Sequence, residues 1–192
     1  MANTDAPWGF KPSHHLNGAP WNGKTSPYKL ADAYNTAIFW GDAVKAASTG
    51  VVQLAGAGDR VLGIAVGVEY RNAAGEVVFG KYWPASTSTF NAEGATIHVS
   101  DQKGVVYAVQ QDSDSRTPAQ SDVFENFDLI STHTGSSVTG MSKMELDTST
   151  GTTATCQFRQ IGFVPAPNNE IGAYAKVLVI VNEDEFTAAT GV

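Results

Sequence analysis

Residues 41–83 read GDAVKAASTGVVQLAGAGDRVLGIAVGVEYRNAAGEVVFGKYW, and this stretch decides the fold. Val51-Val52-Gln53-Leu54 runs into Ala55-Gly56-Ala57-Gly58-Asp59, a strand followed by a turn. Val61 to Tyr70 then pairs with Glu76 to Trp83 across Arg71-Asn72-Ala73-Ala74-Gly75, a five-residue hairpin loop. Strand alternation places Ile64, Val66, Val68 and Tyr70 on one face and Ala65, Gly67 and Glu69 on the other. Gly63 and Gly67 inside a strand point to a bulge or a close backbone approach. The expected fold class is all-β: a β-sandwich or small β-barrels, with an extended irregular N-terminal arm and at most one short helix.

Working outward, Gly104 to Gln110 reads as a strand, and Ala173 to Asn182 as the most hydrophobic one. Apolar residues occupy both faces of its C-terminal half, so it is expected at the centre of a sheet. Thr117, Pro118 and Gln120 form a capping-box pattern that predicts a short helix over 118–125. In residues 1–36, Pro7, Pro12, Pro20 and Pro27 alternate with Gly9, Gly18 and Gly23, which argues against helix or long strand. Disordered tails are poor in aromatics, yet this arm carries Trp8, Phe10, Leu16, Trp21 and Tyr28. These five are the candidate protein-interface residues. The expected organisation is an arm over 1–36, a β domain over 37–186 and a tail over 187–192. A division of the domain into subdomains at about 37–110 and 121–186 is open at this point.

Twelve basic against 19 acidic residues give a net charge of −7, and no Lys/Arg cluster is present to engage a phosphate backbone, so nucleic acid is not an expected partner. No apolar run reaches the ~18 residues of a membrane span, and the N-terminus lacks the pattern of a signal peptide, so no membrane partner is expected. The single Cys156 excludes an internal disulfide and reads as a small buried hydrophobe. His14, His15, His98 and His133 have no zinc-motif spacing. Gly56-Ala57-Gly58 precedes a strand, not the helix that a dinucleotide fingerprint requires. Asp112-Ser113-Asp114 lacks the glycine and closing glutamate of a calcium loop and reads as solvated. The expectation is a non-enzyme with no catalytic residues, no metal site and no cofactor.

One succession of segments resembles a known family. Met1-Ala2-Asn3-Thr4-Asp5-Ala6-Pro7-Trp8-Gly9-Phe10-Lys11-Pro12 is followed by His15-Leu16-Asn17-Gly18, Phe39-Trp40-Gly41-Asp42-Ala43-Val44 and Leu62-Gly63-Ile64. Then come Lys81-Tyr82-Trp83-Pro84, Ile161-Gly162-Phe163, Pro167-Asn168-Asn169 and Val179-Ile180-Val181-Asn182-Glu183. In order and over most of the chain, they resemble structural proteins of tailed bacteriophages, above all head decoration (cement) proteins. The resemblance implies a virion protein on the outer capsid surface, made in the host cytoplasm. It would bridge subunits of the major capsid protein and associate with itself, with a homotrimer favoured. Alternative expectations are a carbohydrate-binding β module that uses exposed Trp, and a tail or neck component.

Overall fold

The computed structural model describes residues 3–31, 33–72, 74–85, 91–151, 154–187 and 191, with backbone alone for 91–94 and 150. Of the expected tail over 187–192, only Thr187 and Gly191 lie among them. The strands are β1 (Lys11–His15), β2 (Ser26–Lys29), β3 (Ala43–Ala46), β4 (Val52–Leu54), β5 (Gly63–Arg71), β6 (Val77–Gly80), β7 (Asn91–Ser100) and β8 (Val105–Gln110). They continue with β9 (Asn126–Phe127), β10 (Leu129–Ile130), β11 (Glu145–Leu146), β12 (Phe158–Phe163) and β13 (Lys176–Val181). The fold is all-β. A first sheet has the order β1-β8-β13-β12-β9, and a second runs β2-β7-β5-β3-β4 with β6 also on β5. The strands β10 and β11 form a separate antiparallel pair.

In the second sheet, the starts of β3 and β5 are buried on both faces. On β3, Ala43 enters a core shared with Tyr107, Val109, Phe158, Val177 and Val179 of the first sheet. Its neighbour Val44 enters a second core with Ala65, Val68, Ile97, Val99 and Trp83. Trp83 is fully buried, stands edge-on to Tyr70 at 5.3 Å and donates its indole N–H to Tyr34 O at 3.0 Å. Burying roughly 200 Å² of indole at ~25 cal/mol/Å² contributes on the order of 5 kcal/mol. Both halves of the chain build the first core, from Phe10 and Ile64 through to Val179.

β13 lies between β8 and β12, the central position its composition implies. The hairpin of β5 and β6 has the expected partners, with Arg71 opposite Val77 and Val68 opposite Gly80. The faces of β5 differ from simple alternation. Ala65 pairs with Val99 and Gly67 with His98, so Val66 is an extra residue, and the bulge moves Val68 and Tyr70 to the face opposite Ile64. Gly63 is a close approach as well, because a Cβ there would collide with Ser100 O.

One expectation for local structure is corrected. The 118–125 helix is only the 3₁₀ turn Gln120–Asp122, closed by the Asp122 carboxylate accepting from Ala119 N at 2.8 Å. Phe124 N donates to Gln160 O at 2.8 Å and Gln160 N to Glu125 O at 3.0 Å, so pairing with β12 takes the chain away from helix. Within the irregular arm lie two short edge strands, of five and four residues. β1 borders the first sheet beside β8, and β2 borders the second beside β7. Their prolines, Pro12 and Pro27, lie on strands that border their sheets, where a missing N–H is tolerated.

Just before β1 the arm enters the core. Phe10 is fully buried and stacks on Phe158 with centroids 4.3 Å apart. Phe10 N donates to Gly41 O at 2.8 Å, and Gly41 N to Ala65 O at 2.8 Å. Gly9 makes this possible: its φ is +78°, and a Cβ there would collide with Ser142 and stand 2.7 Å from Gly41 O. Phe10→Ala is therefore expected to cost about 3–5 kcal/mol in urea unfolding, and Leu16→Ala less than about 0.5 kcal/mol. Equal small losses would show that the arm is not part of the folded body.

Candidate interaction surface

The five arm residues do not form one patch. Phe10 is inside the core and is not available to a partner, which corrects its assignment as an interface residue. Trp21 is half-buried and packs on the first core. Tyr28 packs on the second core and donates its hydroxyl to Asp101 Oδ2 at 2.6 Å. Burial, then the Asp101 carboxylate, push its pKa up to about 12. Leu16 is exposed at the turn after β1, where its N–H donates to Gly104 O at 2.8 Å. Trp8 is half-buried, outside the core that holds Phe10.

The segment before Trp8 lies across the outer face of the first sheet. Gln110 on β8 accepts from Ala6 N at 2.9 Å and donates to Thr4 O and Tyr174 O, both at 2.9 Å. Asn3 donates to Glu170 O at 2.8 Å and to Ala173 O at 2.9 Å. This pinning sets Trp8 at a cleft of about 690 Å³ lined by Trp40, Met141, Ala108, Val164, Lys11, Lys81 and Lys176. Of its lining residues, Lys11 and Ala108 are opposite one another on β1 and β8.

Other apolar side chains stand in solvent. On β6, Val77 and Phe79 point to the same side and are exposed, Phe79 by 73%. Phe124 is 76% exposed at φ +78°, Val138 is 94% exposed, and Ile171 and Phe186 are exposed too. Sequence reasoning missed these and the cleft. Alternation in Val77-Val78-Phe79 signalled one outward apolar face, but nothing local marked which.

The buried polar groups are mostly structural. Gln157 donates to Gly56 O at 2.8 Å and Asp59 O at 2.7 Å while accepting from Leu129 N at 3.1 Å. Asp112, expected to be solvated, is buried and accepts from Thr148 N at 2.8 Å and Thr148 Oγ1 at 2.6 Å. Cys156 is buried, as its apolar neighbours imply. Among the described residues, no three His, Cys, Asp or Glu converge as a metal site. No helix among them is long and apolar enough to cross a membrane.

Two carboxyls have raised pKa values, and one of them, Asp42, lines a small cavity. The cavity is about 150 Å³ and is lined by Asp42, His133 and Met144 among others. Asp42 accepts from Phe39 N at 2.6 Å, and its burial pushes its pKa up to about 6. Glu145 is pushed up to about 7 by burial, against the pull of His133 at 2.9 Å.

Comparison with protein-family models, with curated proteins and with solved structures finds no match to the chain.

The raised carboxyls set a sign for pH dependence. Both favour the neutral form in the fold, so their stabilising contribution is present at low pH and is lost as pH rises through about 6 to 7. Stability is expected to rise by about 1 kcal/mol for Asp42 between about pH 8 and pH 5. Asp42→Asn should flatten that rise in thermal melts across the same range. A wild-type melting temperature that falls steadily on acidification through this window would contradict the assignment.

Proposed function

We propose that this chain is a non-enzymatic structural protein of a tailed-bacteriophage particle. It decorates the outer capsid surface and stabilises the shell by bridging major capsid subunits, associating with itself as a homotrimer. The observation that carries this reading is the display of large apolar side chains, Phe79, Phe124 and Val138, on separate parts of a body with two packed cores. Such side chains are anchors once a partner covers them. The acidic balance of −7 fits a position away from packaged nucleic acid. The resemblance in segment order supplies the capsid context.

The test is binding of purified chain to particles that lack it, with copies per particle counted by quantitative mass spectrometry. Hundreds of copies are expected. Phe79→Asp and Val138→Asp should weaken head binding at least tenfold with unchanged melting temperature. A handful of copies per particle would move the protein to a tail or neck position.

A carbohydrate-binding reading ranks second and rests on Trp8 and Trp40, whose indoles line the cleft. Lysines supply its other polar side chains, and they offer no acceptor for sugar hydroxyls. Glycan-array binding that Trp40→Ala abolishes would reverse this order.

A further inference from the structure

The cleft beside Trp8 concentrates positive charge in an acidic protein. Lys11, Lys81 and Lys176, three of the 12 basic residues, line it. None of them enters an ion pair among the described residues. Its other walls are two indoles, a thioether and aliphatic groups. The complementary occupant is an apolar ring flanked by carboxylates.

The chain presents such a group. Glu183, Asp184 and Glu185 precede Phe186, whose side chain is 55% exposed. The segment is held in place: Val61 N donates to Glu183 O at 2.8 Å, and Glu185 N donates to Val61 O at 3.2 Å. Phe186 N donates to Asp184 Oδ1 at 2.7 Å. A pre-formed anchor loses little entropy on docking. Lys176 opens β13 at the cleft, whereas the acidic run follows Val181 at the other end of the strand. Six strand residues span roughly 20 Å, so Phe186 is too far to fill the cleft of its own chain.

We infer that Phe186 and its flanking carboxylates dock in the Trp8/Trp40 cleft of a second copy. This rests on the self-association in the proposed function and assigns its contact. The contact is heterologous, with different surfaces on the two copies, so it propagates until the rotation closes a ring. A homotrimer is the ring expected here. Part of the attraction is between charges at the surface, exposed on Lys11 and Lys81 and half-buried on Glu183 and Asp184, and salt screens it.

Sedimentation of the full chain tests this. Wild type should assemble at low ionic strength and weaken at high salt. Phe186→Ala, and separately the double change Lys81→Glu with Lys176→Glu, should each weaken assembly at least tenfold while leaving the thermal melt unchanged. Mixing the two variants should restore a dimer and nothing larger, because only one intact anchor and one intact cleft can meet. A wild type that stays monomeric at low salt, assembly that ignores both variants, or a mixture that stays monomeric while wild type assembles would overturn the inference. A monomer that still coats heads in hundreds of copies defeats this contact alone. Assembly as described without head binding defeats the capsid reading and leaves the contact standing.

Discussion

The close approach at Gly9 governs how the molecule is put together. Only a residue without a Cβ fits between Ser142 and Gly41 O there, and its positive φ turns the chain sharply. Phe10 goes inward to stack on Phe158, and Trp8 stays outside. Three segments distant in sequence meet at this one point: the arm, the turn before β3 and the Ser142 loop. The hydrogen bond from Phe10 N to Gly41 O, continued from Gly41 N to Ala65 O, ties them to the second sheet. The same glycine therefore fixes part of the first core and a wall of the outer cleft.

Around that point, the start of β3 and of β5 is buried, and two of the buried polar side chains, Tyr107 and Gln157, have specific partners. Tyr107 donates to Ser100 O at 2.9 Å inside the first core, where burial raises its pKa. Gln157 bridges the loop after β4 to the start of β10. Neutral hydrogen bonds of this kind add about 1 kcal/mol each when made and cost more when broken. Their larger effect is to hold the two sheets in one register.

What the sequence made legible were features that depend on local pattern. The β5–β6 hairpin and the central place of β13 follow from alternation and composition. The features that were not legible arise where a single backbone irregularity changes direction. Alternation puts Trp8 and Phe10 on the same side, and Gly9 separates them. Alternation puts Ile64 and Val68 together, and the extra residue Val66 divides them between cores. Thr117, Pro118 and Gln120 have a helix-start pattern, but pairing of Phe124 and Glu125 with Gln160 wins over it. The cleft was invisible for a different reason: Lys11, Lys81 and Lys176 are far apart in the chain, and only the strand order β1-β8-β13 and the packing around Trp40 bring them together.

The prolines in the border strands have a consequence for handling and for life at high concentration. A free sheet margin can recruit another chain's margin and grow into fibrils. Pro12 on β1 and Pro27 on β2 each remove an amide from a margin, and the other margins, β9, β4 and β6, are only two, three and four residues long. The molecule can thus be crowded to high density with little tendency to polymerise through its backbone, leaving side-chain surfaces to decide what it adheres to.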